Sequence, residues 1–130
     1  MNLTIKQLFS EGQKILLKAQ GISCAFDGME LLSFCIKKDK SYIMTHQDEA
    51  LPSAQCHQYL SLCEKRAKGY PLQYILGFWE FFGIEFAVGE GVLIPRADTE
   101  ALVEAVLELD FPKDSINILD LCSGSGAIAV

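Results

Sequence analysis

The sequence has no Cys-x-x-Cys pair, no Gly-Lys-Ser/Thr triplet and no apolar run near the ~18 residues that a membrane-spanning helix requires. The first absence leaves Cys24, Cys35, Cys56, Cys63 and Cys122 without the tight spacing of a structural zinc site. Five is an odd number, so they read as free, mostly buried thiols of a reducing compartment. Cys56, His57 and Cys63 come nearest to a ligand set, because the two cysteines can share a helix face. A fourth ligand would have to come from elsewhere, and no metal is expected. The second absence excludes a Walker phosphate loop. The third excludes a transmembrane helix. The start, MNLTIKQLFSEGQ, lacks the basic stretch and apolar core of a signal peptide, so a cytoplasmic protein is expected.

Positive charge is also scarce. Against 17 Asp and Glu stand 11 Lys and Arg, for a net charge of −6. That balance argues against direct nucleic-acid binding, which rests on basic patches. It leaves open a protein partner that itself binds nucleic acid. Histidine is limited to His46 and His57, each alone, and both read as helix-surface residues. The length, 130 residues, allows one domain, or a small domain and part of another.

What is present begins with helices. Thr4-Ile5-Lys6-Gln7 has the form of a capping box, and Ile5, Leu8, Phe9, Ile15, Leu16 and Ala19 follow at helical spacing, with Gly21 as the stop. A second helix is expected from Asp27 through Leu31, Leu32, Phe34, Cys35 and Ile36, ended by the polar run KKDK. A third, short helix is expected around residues 42–46. A fourth is expected from Pro52 through Cys56, Tyr59, Leu60, Cys63 and Ala67 to Gly69, with Pro71 blocking continuation. Residues 1 to about 70 thus read as a small all-helical bundle without a catalytic constellation.

The texture changes at Leu76. GFWEFFGIEFAV reads as two strands, 78–82 and 84–88, joined at Gly83. Val92, Leu93 and Ile94 are expected to be extended before Pro95. Residues 97–109 are helical by pattern, with Leu102, Val103, Val106 and Leu107 on one side and Asp98 and Glu100 capping the first turn. After a loop over 110–115, residues 116–121 are apolar enough for a central strand of a parallel sheet.

Chemistry concentrates where that strand meets Cys122-Ser123-Gly124-Ser125-Gly126. Glycines after a strand let the chain turn sharply and let a ligand approach main-chain amides, and a following helix start offers unpaired N–H groups. Such loops hold dinucleotides, mononucleotides or S-adenosylmethionine; a purely structural turn is the other reading. Ile94-Pro95-Arg96-Ala97-Asp98-Thr99-Glu100 reads by composition as a salt-bridged corner.

Taken in order, RAKGYPLQYILGFWEFFGIEFAV, VLIPRADTEALVE and ILDLCSGSGAIAV resemble the HemK/PrmC family of peptide chain release factor N5-glutamine methyltransferases. The match is dense over residues 66–130; residues 1–65 match in general character, as the variable helical domain. The resemblance implies a mainly α chain: a small N-terminal helical bundle over 1–75, a β-hairpin linker over 76–95, and over 96–130 the first helix and strand of a Rossmann-like α/β methyltransferase domain. It implies S-adenosyl-L-methionine as cofactor and class-1 peptide chain release factors as partners, methylated on the glutamine amide of their Gly-Gly-Gln motif, with no membrane or direct nucleic-acid partner. It places Cys122, Ser123, Gly124, Ser125 and Gly126 in the cofactor loop, and Ile94, Pro95, Arg96, Thr99 and Glu100 beside it, shaping the active site.

The chain departs from the family at Cys122, where glycine is frequent, and at Ala97, where proline is usual. Cysteine fits the first position where φ is not positive. The family's Asn-Pro-Pro-Tyr motif and the acidic residue after the second strand are absent from these residues. The chain is therefore expected to be the N-terminal part of a longer enzyme and inactive by itself, with no residue assigned a catalytic role. A non-catalytic helical module that binds a translation factor is the alternative. A methyltransferase acting on another substrate, such as a nucleic acid, is a third reading that the acidic charge disfavours. Trp79, Phe81 and Phe82 are expected to be exposed, with self-association through the hairpin edge.

Overall fold

Thr4 starts the first helix by capping it. Its hydroxyl accepts from Gln7 N, and Gln7 Oε1 accepts from Thr4 N at 3.0 Å, so the expected capping box is formed. The next donors of the first turn are also satisfied, because Ile5 N donates to Glu49 O and Lys6 N to Gln47 O, each at 3.0 Å. A helix start that would otherwise leave backbone N–H groups unpaired is thereby tied to the loop before the fourth helix. The computed structural model describes residues 1–112 and 115–130; the expected loop over 110–115 lies partly outside them. Two compact units emerge, Met1–Leu76 and Gly77–Val130.

The first unit contains α1 (Ile5–Leu16), α2 (Cys24–Ile36), α3 (Lys40–Thr45), α4 (Ser53–Ala67) and α5 (Leu72–Leu76). Helices α1, α2 and α4 pack on one another, and α5 packs on α2 and α4. Ile5, Leu8, Leu16, Leu31 and Leu32 are buried at the centre with Cys56, Tyr59 and Cys63 from α4. Tyr59 is the hub: its hydroxyl donates to Gly28 O at 3.2 Å. Gly12 of α1 makes room for it, since a Cβ at Gly12 would lie 2.3 Å from the Tyr59 oxygen. This close approach is a packing fact that no local pattern announces.

The helix limits differ from expectation in instructive ways. Helix α1 stops at Leu16, before Ala19, because Lys18 N and Ala19 N switch to i−3 carbonyl acceptors and Leu17 beyond it is exposed. Gly21 is left-handed but sits in the following turn. Helix α2 begins at Cys24 rather than at Asp27: Ser23 is the N-cap and its carbonyl already accepts from Asp27 N at 2.8 Å, while the Asp27 carboxylate accepts from Arg66 Nε of α4 at 2.7 Å. Helix α3 begins at Lys40, capped by Asp39, whose carboxylate accepts from Tyr42 N at 2.7 Å.

In the second unit, β1 (Phe78–Phe81) and β2 (Ile84–Ala87) pair antiparallel with Phe81 opposite Ile84 and Phe78 opposite Ala87. Phe82 and Gly83 form the two-residue turn with φ of 51° and 75°, both positive as type I′ requires. Phe81 is buried, against the expectation of exposure, and meets Phe86 edge to face at 6.4 Å; Trp79 is half-buried and Phe82 exposed. Helix α6 (Ala97–Leu107) is shorter than expected and buries no residue.

The expected strand over 116–121 is not formed. Residues 116–120 have no regular structure and Leu121 lies in a turn, without ladder partners, and Ile118 and Leu119 are each 80% exposed. A parallel strand is stable only with neighbours at its edges and helices on its faces. Among the described residues, β1 and β2 are the named strands, and they pair with each other. The chain is thus mainly helical with one small antiparallel sheet.

Candidate cofactor loop and active-site segment

The loop that follows Leu121 is a run of turns. Cys122, Gly124 and Gly126 have φ of 57°, 58° and 79°, while Ser123 and Ser125 between them keep the usual hand. Alternating hands of this kind form nests, in which successive N–H groups line a concavity that accepts anionic or lone-pair groups. One turn is closed by Gly126 N donating to Ser123 O at 2.9 Å. At the expected helix start, Val130 N donates to Gly126 O at 3.2 Å, an i−4 bond.

Cys122 contradicts the condition set for it: its φ is positive. A side chain in this region costs on the order of 1–2 kcal/mol, which glycine would not incur. The exposed thiol is therefore held in a strained position.

Asp120 lies just before the loop. Its Oδ2 is buried and has no hydrogen-bond partner among the described residues. An unpaired buried acceptor is costly, and a ligand with N–H, hydroxyl or cationic groups would satisfy it. S-adenosyl-L-methionine carries an ammonium and ribose hydroxyls that donate, so the free acceptor at Asp120 fits it. The only signal in the sequence was an acid at the end of an apolar run, and apolar periodicity says nothing about unmet hydrogen bonds.

The second candidate stretch leads into α6. Ile94 and Pro95 are half-buried, and Arg96 is the exposed, extended N-cap residue without a side-chain capping bond. Thr99 N donates to Arg96 O at 3.0 Å. Glu100 does not cap the helix as expected; its Oε1 accepts from Phe82 N of the hairpin turn at 2.8 Å. Among the described residues, no hydrogen bond or ion pair joins the stretch Ile94, Pro95, Arg96, Thr99, Glu100 to the loop Cys122, Ser123, Gly124, Ser125, Gly126.

The helical unit holds its polar groups differently. Arg66 bridges Asp27 and the Tyr70 carbonyl, to which it donates at 3.3 Å, and Lys65 lies over the Tyr70 ring at 4.0 Å. Burial pushes the Cys35 thiol up to about 12 and Cys63 to about 11, so both stay protonated and inert at neutral pH. Burial raises Tyr59 as well. On α4, Cys56 and Cys63 are buried while His57 is exposed, and among the described residues no group of three His, Cys, Asp or Glu side chains is placed to hold a metal. No helix among them is long and apolar enough to cross a membrane.

A closed helical unit, a hairpin and a glycine-rich turn thus follow one another along the chain. Residues 7–77 match the family model of the PrmC N-terminal domain. A protein of Clostridium botulinum named release factor glutamine methyltransferase is 41% identical over 98% of this chain and 45% of its own length. Proteins of the same name from Koribacter versatilis and Thermodesulfovibrio yellowstonii are 39% and 45% identical, over 98% and 80% of the chain and 45% and 38% of their own lengths. The chain spans less than half the length of these relatives. It belongs to the HemK/PrmC family.

Proposed function

We propose that this chain is the N-terminal part of an S-adenosylmethionine-dependent methyltransferase that acts on the glutamine side-chain amide of the Gly-Gly-Gln motif in class-1 peptide chain release factors. One observation carries the reading: 41% identity over 98% of the chain to a protein named for that activity. The helical unit recognises the release factor, the hairpin is the linker, and the second unit begins a Rossmann-like domain that works in the cytoplasm.

The bound cofactor supplies an activated methyl group. An amide nitrogen is a poor nucleophile because its lone pair is delocalised into the carbonyl. The protein's task is therefore to hold that nitrogen in line and offer acceptors to its N–H groups, by positioning and electrostatics rather than with a strong base. In this chain the loop of Cys122, Ser123, Gly124, Ser125 and Gly126 holds the cofactor through its main-chain N–H groups, that of Gly126 excepted because it closes the turn on Ser123 O, and Asp120 offers an acceptor beside them. Ile94, Pro95, Arg96, Thr99 and Glu100 shape the active site. None of these residues takes the amide proton, and the chain by itself is inactive.

The test is transfer of a radiolabelled methyl group from S-adenosylmethionine to a purified class-1 release factor by the full-length gene product. Labelling that disappears when the Gly-Gly-Gln glutamine is replaced by alanine supports the reading; labelling indifferent to that change overturns it. A second reading is favoured by the closed core of Met1–Leu76: a helical module that docks a translation factor without catalysis. Calorimetry on the 130-residue chain separates the two. Release-factor binding without cofactor binding supports the module; cofactor binding supports the enzyme.

A further inference from the structure

Helix α6 sends one side chain back to the hairpin. Glu100 Oε1 accepts from the Phe82 backbone N–H at 2.8 Å. The ladder ends at the Phe81–Ile84 pair, so Phe82 N–H lies outside it and has no strand partner. Phe82 also has a φ of 51°, in a region that bulky L side chains rarely adopt, and hairpin turns of this hand favour Asn, Asp or Gly there. Its side chain is among the exposed large apolar groups, so burial of the ring does not account for the conformation. A carboxylate on the N–H of that same residue gives a charge-assisted bond that does. Glu100 belongs to the first turn of α6, where it was expected to cap, yet the helix start has no side-chain cap at all.

We infer that Glu100 is a positioning residue: its carboxylate clamps the hairpin turn in its left-handed form and fixes the hairpin to the start of α6. The inference rests on the methyltransferase reading for its consequence, that residues 94–99 are held in place by the hairpin. The clamp itself is independent of that reading.

Amide hydrogen exchange followed by NMR on the 130-residue chain tests it. In Glu100→Ala the Phe82 amide exchanges about tenfold faster than in the parent, the loss expected for one charge-assisted bond. Glu100→Gln, which keeps an acceptor oxygen, restores most of the protection. Leu31 of the first unit and Val106 of α6 exchange at parent rates in both variants, which shows that each unit keeps its fold. Glycine takes a positive φ without strain, so in a Phe82→Gly background the further change Glu100→Ala leaves the Phe81 and Ile84 ladder amides unaltered. Equal Phe82 exchange in the parent and Glu100→Ala overturns the clamp, as does equal loosening of the ladder in both backgrounds. Failure of methyl transfer to the Gly-Gly-Gln glutamine leaves these exchange results standing, and failure of the clamp leaves methyl transfer standing.

Discussion

Leu31 and Leu32 in α2 are fully buried, whereas Ile118 and Leu119 in the second unit stand 80% exposed. The two pairs are chemically alike, and both lie in runs that read as core from sequence. They differ in what surrounds them. An amphipathic helix makes its own backbone hydrogen bonds and needs only one apolar face opposite, which α1 and α4 supply. A strand must borrow its hydrogen bonds from neighbours, and the run over 116–121 has none among the described residues. Apolar sequence is thus a necessary condition for a core, and an available partner is the sufficient one.

The contrast can be broken by substitution. Tyr59→Ala removes the hub of the helical unit and leaves a cavity, with an expected loss of about 3–5 kcal/mol in urea unfolding followed by circular dichroism. Gly12→Ala, a change of one methyl, drives a Cβ into the Tyr59 ring and is expected to cost about 1–3 kcal/mol in the same assay. A value near zero there would mean that α1 and α4 are not in the close approach described. At the other extreme, Leu102→Ala on α6, where no residue is buried, should stay within about 0.5 kcal/mol.

Alkali sharpens the comparison. Cys35 and Cys63 are protonated up to about 12 and 11 in the folded state, whereas an unfolded thiol ionises near ~8.5. The unfolded state therefore releases protons first as pH rises. Stability contributed by the neutral thiols is complete below about 8.5 and is lost as pH climbs towards the folded values. Urea midpoints should fall between about pH 9 and 11, and less so in Cys63→Val. A flat profile would contradict the burial of these thiols. At pH 8, a thiol reagent should modify exposed Cys122 first and leave Cys35, Cys56 and Cys63 unmodified until the chain unfolds, as read by mass spectrometry.

Local signals were the most legible part of the chain. The capping box at Thr4, the stop at Gly69 before Pro71 and the two-residue turn at Gly83 each depend on a few consecutive residues. The structure forms the first two where expected and turns the hairpin at Gly83, but it takes Phe82, expected in the first strand, into a two-residue turn with it. Longer-range relations were not legible. Asp27 reads as a helix start, but Arg66, 39 positions away, takes its carboxylate. Glu100 reads as a cap, but Phe82, 18 positions back, takes it. The glycine-rich loop was recognisable by composition, yet the positive φ of Cys122 and the unpaired Oδ2 of Asp120 were not.

The sequence by itself determined the helical first unit, the hairpin and the family, because periodicity, caps and a fixed order of motifs are properties of the chain read one stretch at a time. The tertiary structure decided which acids pair with what, which aromatic rings are covered and whether an apolar run becomes a strand. Those outcomes depend on groups distant in sequence meeting within a few ångströms, and a hydrogen bond or a buried methyl group acts only at that range.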